Sequence, residues 1–271
     1  MSDRRTIAST LGSTLVGSTP TASLETQEYR PHALMPDVKV VKIGGQSIHD
    51  RGRAALFPIL DEIVEARKAG IQVVISTGGG TRARHIYAIA SELELPTGVV
   101  ATLGKYIPMQ NARMIQMLLA KHGGIYIMPD DFEKLPLYLQ MGCIPIMSGM
   151  PPFGYWEKPE EGSRIPPHRT DAGVFLSCEF LGVARAIFIK DEDGLYTDDP
   201  KKNPAATHIK RITAKALTER KLQDVIVERR VIEYLQRAQW CKELQVVNGL
   251  KPGQVLAALK GEDVGTIISA A

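Results

Sequence analysis

Three short loops in the sequence hold residue types that bind phosphate. The first, "KIGGQS", places Lys42 at the end of a β-branched run and follows it with Gly44, Gly45 and Gln46. An ammonium group neutralises phosphate charge, and glycines leave backbone amides free to approach an anion closely. A glycine pair alone also marks an ordinary tight turn, so this loop gains weight only together with the others.

The second loop, "STGGGTRARH", also follows an apolar run. It holds three glycines and three basic residues: Gly78, Gly79, Gly80, Arg82, Arg84 and His85. Cations in the first turn of a helix oppose the helix dipole, and that placement makes sense mainly if an anion lies between them. The alternatives are a surface position for Arg84 and a core position for His85.

The third loop, "IKDEDGLYTDDP", combines a lysine with several carboxylates directly after a strand. Its candidate nucleotide-binding residues are Lys190, Asp191, Asp193, Gly194, Tyr196, Asp199 and Pro200. Carboxylate oxygens bind Mg²⁺ and an ammonium neutralises phosphate, so this loop suits a nucleotide phosphate with its magnesium. An acidic turn capped by Asp and Gly would explain the acids but not the lysine. Since these loops lack G-x-x-x-x-G-K-[ST] and G-x-G-x-x-G, a P-loop enzyme and a dinucleotide-binding oxidoreductase are disfavoured.

A fourth stretch, "RIPPHRTDAG", places four polar residues at the start of a predicted helix. Thr170 or Asp171 can cap that helix. His168, an isolated histidine in a loop, is either a hydrogen-bonded structural residue or a ligand contact, and the role of Arg169 stays open.

The elements between these loops predict the fold. Five apolar runs, "VKVVKI", "IQVVIS", "GIYIM", "CIPIMS" and "RAIFIK", are predicted as strands, and helices are predicted at about 53–70, 82–95, 111–123, 131–141 and after Asp171. Residues 225–241 are predicted as a helix, and the C-terminal segment as strand, turn, helix and strand. This alternation indicates an α/β fold with a mainly parallel central sheet and helices on both faces, in which ligands bind beyond the carboxyl ends of the strands.

Composition restricts the class of protein. The 271 residues are 44% hydrophobic and 23% charged with a net charge of +3, enough for a sizeable core but without a basic stripe for nucleic acid. We expect neither a signal peptide nor a membrane span, and three separated cysteines predict buried thiols of a cytoplasmic protein. Residues 1–34 are predicted as an irregular N-terminal arm, frayed or ordered on a neighbouring subunit, with a break near residues 150–170 of the remainder.

The motifs "VKIGG", "TGGG", "RTDAG", "KDEDGLYTDDP" and "VVNGLKPGQVLAALKGEDVGTII", in this order, resemble the amino acid kinase family, and within it the bacterial uridylate kinases. The segments "KIGGQSIHDRGRAA", "GTRARHIYAIA", "QNARMIQMLLAKHG", "SGMPP", "IPPHRTDAG", "KDEDGLYT" and "LQVVNGL" are more closely similar to the subunits of molybdenum storage proteins, above all the beta type. Residues 35–271 would then form an amino acid kinase-like ATP-binding domain, with a substrate or oxyanion half at about 35–165 and a nucleotide half at about 166–271.

The resemblance implies a cytoplasmic, hexameric cage in which each subunit binds ATP and Mg²⁺. ATP hydrolysis would drive molybdate, or tungstate, into polynuclear oxide clusters held inside the cage. The partner would be a homologous alpha-type subunit, or further copies of this chain in a homo-oligomer. The alternative is a uridylate kinase-like phosphotransferase acting on a nucleoside monophosphate or a small carboxylate, although "GKYIPMQNA", with Lys105 and Tyr106, lacks the aspartate of the uridylate kinase motif "GDHMGMLAT".

Carried over position by position, the resemblance assigns roles to individual residues. Lys42, Lys190 and Asp171 would be catalytic, with Asp171 ordering the lysines and the metal near the transferred phosphate. The other nucleotide-binding candidates are those of the three loops: Gly44, Gly45, Gln46, Gly78, Gly79, Gly80, Arg82, Asp191, Asp193, Gly194, Tyr196, Asp199 and Pro200. The residues that hold the oxide clusters stay unknown, with His168 the candidate contact.

Overall fold

The computed structural model describes residues 32–220 and 225–271. The helices of this part are α1 Arg53–Lys68, α2 Gly80–Glu92, α3 Thr97–Leu118, α4 Leu135–Gln140, α5 Thr170–Leu181, α6 Ala214–Glu219, α7 Arg229–Leu235 and α8 Gln254–Leu259. The strands are β1 Lys39–Ile43, β2 Val73–Thr77, β3 Gly124–Tyr126, β4 Ile144–Ser148, β5 Arg185–Lys190, β6 Leu195–Tyr196, β7 His208–Ile209, β8 Arg211–Thr213, β9 Glu243–Asn248 and β10 Thr266–Ser269.

Eight of these strands form one sheet in the order β3-β4-β2-β1-β5-β9-β10-β8, while β6 and β7 pair separately. The six strands from β3 to β9 run parallel, and β10 pairs antiparallel with β9. Because β1, β2 and β5 are parallel neighbours, Lys42 lies in register with Ser76 and Phe188, and the three strands end at the same edge of the sheet. The phosphate-binding loops of the sequence follow these ends.

Strand residues alternate between two hydrophobic clusters, one on each face of the sheet. Val40 and Phe188 pack into one cluster, with Phe175 of α5, whereas Val41 and Ile187 pack into the other, which includes residues of α1 and α3. Apolar side chains on both faces leave few polar positions within the strands, as a sheet covered on both sides requires. The predicted fold class is confirmed.

Three helices differ from the sequence prediction. The helix predicted at 131–141 is α-helical only over Leu135–Gln140, after a 3-10 helix at Pro129–Lys134. Helix α3 begins at Thr97, well before the predicted 111–123. The sequence prediction missed its first half because Pro108 and two glycines interrupt the helical pattern, whereas the folded helix accommodates them. The predicted helix at 225–241 is shorter, with only Arg229–Leu235 helical. The amides of Gln239, Trp240 and Cys241 bind the Glu179 carboxylate, which holds the chain out of a helix there.

Other predictions have mixed outcomes. Cys178 and Cys241 are buried free thiols as predicted, but Cys143 is partly exposed. None of the described helices combines the length and apolarity that a membrane crossing needs. The predicted arm lies outside the described residues except for residues 32–34. The division into two halves near residue 165 stays a prediction, and the single sheet joins β1 of the first half to β5 of the second.

Candidate functional site

A cavity of about 1240 Å³ lies at the carboxyl ends of β1, β2 and β5. Most of the predicted site residues line it: Lys42, Gly44, Gly45, Gln46, Gly78, Gly79, Gly80, Asp171, Lys190, Asp191, Gly194, Tyr196, Asp199 and Pro200. The structure therefore brings together four stretches that are far apart in the sequence. Arg82, Asp193 and His168 are not among the lining residues.

The first two glycine loops touch each other through their backbones. A Cβ on Gly45 would overlap the backbone of Gly79 and Gly80, and a Cβ on Gly78 would lie 2.6 Å from the Gly45 nitrogen. Gly80 has φ +73°, a left-handed conformation that favours glycine. Since side chains at these positions would separate the loops, glycine is required to form a continuous cradle of backbone amides.

Beside this cradle, two lysines share one buried carboxylate. Lys42 donates to Asp171 Oδ1, and the Lys190 ammonium lies 3.7 Å from Asp171 Oδ2. Burial lowers the pKa of Lys42, and Asp171 partly opposes that effect. Burial alone would raise the pKa of Asp171, but Lys190 and Lys42 hold it well below its usual range. Asp171 is therefore ionised and holds two ammonium groups at the inner end of the cavity.

Glu228, which the sequence analysis did not single out, completes this cluster. Its carboxylate accepts the backbone amides of Arg169, Asp171 and Ala172 at 3.2, 3.0 and 3.3 Å. Glu228 therefore caps α5. The capping role predicted for Thr170 or Asp171 is wrong, because Arg169 is the N-cap residue and both of these residues lie inside the helix. Burial and the nearby Asp171 raise the pKa of Glu228. The sequence around Glu228 does not reveal this role, because the backbone amides that it binds lie about 57 positions earlier in the chain.

Arg82 lies against α3 rather than in the cavity. Its guanidinium donates to Gln110 and Asn111, whereas Arg84, two residues later on α2, lines the cavity. Positions two apart on a helix point to different sides, so only one of the two arginines can face the site. The sequence predicted an anion beside the first turn of α2. The Asp50 carboxylate supplies a negative charge there and accepts the Thr81 amide at 2.7 Å. His85 is exposed, so its core alternative is wrong.

In the third loop, the acids have separate partners. Asp193 accepts hydrogen bonds from Asn248 at 2.9 Å and Lys251 at 2.7 Å, which fixes the loop to the segment after β9. Lys251 holds the pKa of Asp193 below its usual value. Asp191 pairs with Arg51 at the cavity lining. Asp193 is therefore held by partners within the protein, whereas Asp191 is one of the acids of this loop that line the cavity, together with Glu192, Asp198 and Asp199.

His168 uses both ring nitrogens within the protein. Nδ1 lies 2.7 Å from Glu157 Oε1, Nε2 contacts the Tyr234 hydroxyl, and Phe153 packs edge-on against the ring. A histidine bonded on both nitrogens has none left for a metal. The geometry favours the structural alternative for His168 over cluster contact.

The residues that line the cavity fit a nucleoside triphosphate. Gly44 and Gly78 donate their amides to the carbonyls of Ile189 and Ile43, so the amides of Gly45, Gly79 and Gly80 are the candidates for phosphate contact, with Lys42 and Lys190 supplying positive charge at the cavity. The described residues contain no group of three or more His, Cys, Asp or Glu side chains able to hold a metal by themselves. Mg²⁺ commonly binds one or two carboxylates together with substrate phosphates, so Asp191 with the phosphate oxygens fits that ion better than an all-protein site.

Comparison with known proteins agrees with this geometry. The model of the amino acid kinase family matches residues 37–241. The molybdenum storage protein subunit beta of Azotobacter vinelandii is 51% identical over 237 residues, which covers 88% of this chain and 87% of that protein. A uridylate kinase of Pyrococcus abyssi is 31% identical over 148 residues, or 55% of this chain and 59% of that protein.

Solved structures show the same fold. The uridylate kinase from Archaeoglobus fulgidus aligns with a TM-score of 0.63 at 25% identity, covering 86% of this chain and all of that chain. The UMP kinase from Bacillus anthracis aligns with a TM-score of 0.66 at 19% identity, covering 86% and 96%. The match of the family model over most of the chain, together with the fold and the site geometry, shows that the chain belongs to the amino acid kinase family.

Proposed function

We propose that this chain is a subunit of a cytoplasmic oligomeric cage that uses Mg-ATP to store molybdenum, or tungsten, as polynuclear oxide clusters. The observation that carries the proposal is the 51% identity to a molybdenum storage protein subunit over 88% of the chain. Identity to the uridylate kinases is lower, at 31% over about half of the chain for the Pyrococcus abyssi protein.

In the proposed reaction, a water molecule attacks the γ-phosphorus of ATP and the bond to the β-phosphate oxygen breaks, giving ADP and phosphate. Phosphoryl transfer depends mostly on positioning and on stabilising charge that spreads over the γ-phosphate oxygens. Lys42 and Lys190 lie where their ammonium groups can face that charge, with Asp171 holding both. Mg²⁺, when bound with Asp191, would neutralise charge on the phosphates.

Assembly with another subunit is supported by an apolar stripe on α3. Five side chains on one face of this helix are at least 37% exposed: Leu103, Tyr106, Met114, Met117 and Leu118. With 3.6 residues per turn, these positions fall within about a third of the helix circumference, so they share a face. Exposed apolar side chains grouped in this way mark interaction surfaces. We assign this stripe to contact with a homologous subunit of the same fold.

The proposal is tested by metal loading. The chain is produced in molybdate-containing medium, alone and with an alpha-type homologue, and metal per chain is measured by elemental analysis after size-exclusion chromatography. We expect many molybdenum atoms per chain in the oligomer and hydrolysis of Mg-ATP during loading. Lys190→Ala protein, loaded in parallel, is expected to bind little molybdenum.

The same preparations are assayed for transfer of phosphate from ATP to UMP. The storage proposal predicts negligible UMP phosphorylation. At most about one metal per chain, with rapid UMP phosphorylation, would instead establish the uridylate kinase-like alternative and refute the proposal.

A further inference from the structure

Glu228 links the wall of the cavity to the pair of buried lysines. Residues 225–228 line the cavity, and the Glu228 carboxylate then turns to the first turn of α5, where it accepts three backbone amides. One of these amides belongs to Asp171, the residue that both lysines share. Among the contacts of the described residues, Glu228 makes no ion pair with either lysine. Burial lowers the pKa of Lys42, and the charges of Asp171 and Glu228 oppose that effect, but the hydrogen bonds of Glu228 reach the lysines only through Asp171.

The contacts between Glu228 and Asp171 are reciprocal. The Asp171 amide donates to Glu228 Oε1 at 3.0 Å, and the Glu228 amide donates to Asp171 Oδ2 at 3.0 Å. Each backbone therefore fixes the other residue's carboxylate, across 57 positions of sequence. This hydrogen bond sets the rotation of the Asp171 carboxylate, because Oδ2 is held by the Glu228 amide while Oδ1 receives Lys42.

The orientation of that carboxylate decides where the lysines lie. Lys42 binds one oxygen, and Lys190 lies 3.7 Å from the other. A rotation of the carboxylate would move the acceptor of at least one ammonium group. Charge stabilisation in phosphoryl transfer depends on donors held in place before the reaction, so a displaced ammonium lowers the rate more than it lowers binding.

We propose that Glu228 is a positioning residue for phosphoryl transfer: its carboxylate fixes the backbone at the start of α5, and Asp171, carried there, keeps Lys42 and Lys190 in place for the γ-phosphate. This inference rests on the proposed use of ATP. It adds to the predicted set of two lysines and an aspartate a residue that acts on the lysines through Asp171.

The chain contains a matched control for this role. Glu179, a residue of α5, accepts three backbone amides, those of Gln239, Trp240 and Cys241, at 3.0, 2.9 and 2.5 Å. It has the same side chain and the same number of backbone partners but does not line the cavity. Glu179→Gln and Glu228→Gln thus weaken equivalent structural contacts, and only the second affects the lysines.

The test uses two measurements on wild type, Glu228→Gln and Glu179→Gln proteins. Steady-state hydrolysis of Mg-ATP separates kcat from KM, and acylation of Lys190 in nucleotide-free protein, followed by peptide mass spectrometry, reports how firmly this lysine is held. We expect Glu228→Gln to lower kcat about tenfold or more, with KM changed less than about threefold, and to raise Lys190 acylation several-fold. Glu179→Gln is expected to match wild type in both.

Equal effects of the two glutamine variants, or an unchanged kcat and unchanged acylation in Glu228→Gln, would overturn the positioning role. If Glu228→Gln does not fold, Glu228→Asp replaces it. The shorter carboxylate of this variant keeps the charge but cannot bind all three amides, so we expect kcat to fall in the same direction but by less. If wild type does not hydrolyse ATP, the proposed function fails, while Lys190 acylation still tests whether Glu228 positions the lysines.

Discussion

Replacing Asp171 by asparagine would remove the one negative charge that both lysines contact while keeping the side-chain shape. The asparagine oxygen can still accept the Glu228 amide, but the side-chain NH2 group then faces Lys42, so the variant loses the negative charge and the Lys42 hydrogen bond. Removing one partner of a buried ion pair costs about 3–5 kcal/mol, because the remaining charge is left without compensation. We expect the lower end, about 3 kcal/mol, since Lys190 is 17% exposed and Lys42 can release its proton.

In a domain of this size, 1 kcal/mol corresponds to a change of about 2–4 °C in Tm. Asp171→Asn should therefore unfold about 6–12 °C below wild type at neutral pH, as measured by circular dichroism on nucleotide-free protein. Without Asp171 the pKa of Lys42 falls further below its ordinary value, so the unfolded state binds a proton that the folded state lacks, and stability rises with pH. The difference in stability between wild type and Asp171→Asn should therefore become smaller as the pH rises. This change should occur between the pKa of Lys42 in the variant and its higher pKa in wild type.

Asp193→Asn is the control for this prediction. Asp193 also accepts from a lysine and an amide, but its side chain is 35% exposed, and such surface pairs contribute about 0.2–1 kcal/mol. Its Tm should fall by at most about 4 °C. If Asp171→Asn unfolded no earlier than Asp193→Asn, or if its deficit widened with rising pH, the idea that Asp171 compensates two buried lysines would be wrong.

Three further perturbations address the rest of the molecule. Lys190→Ala protein should still fold but lose about 2–4 kcal/mol of transition-state stabilisation in ATP hydrolysis, and unchanged turnover would remove Lys190 from the site. Gly45→Ala, whose Cβ would overlap the second glycine loop, should cost about 1–3 kcal/mol of stability and weaken ATP binding by calorimetry, whereas Gly162→Ala, in an open loop, should leave ATP affinity unchanged. Met117→Asp should reduce the fraction of oligomer measured by light scattering, whereas Met141→Asp, at an equally exposed methionine after α4, should not. If both variants gave the same oligomer fraction, the apolar stripe on α3 would have no role in assembly.

Much of the candidate site could be predicted because its residues follow strands. Lys42 and Lys190 each end a short apolar run, and parallel strands bring such ends to one edge of a sheet. The glycine loops were predictable for a related reason, since close approach of two backbones leaves no room for a Cβ. These features depend on local sequence and on the general geometry of α/β sheets.

The remainder depends on contacts that local sequence does not encode. Arg82 and Arg84 are indistinguishable as types, and only the phase of α2 against α3 decides which one faces the cavity. Glu228 belongs to a charged segment that looks like a solvated helix face, yet it caps another helix. The start of α3 was missed because Pro108 normally ends helices, while tertiary packing here accommodates it.

The charges around Asp171 suggest how the site combines a buried position with a role in catalysis. Lys42 and Lys190 are balanced by Asp171 and Glu228, so the cluster is neutral when all four groups are ionised, and the lysines can be held inside the protein before any phosphate arrives. A bound phosphate must share ammonium groups that already have a partner, so these lysines add little to ground-state affinity. Charge that develops on the γ-phosphate during transfer meets donors already in place, and that difference between ground state and transition state is what accelerates a reaction.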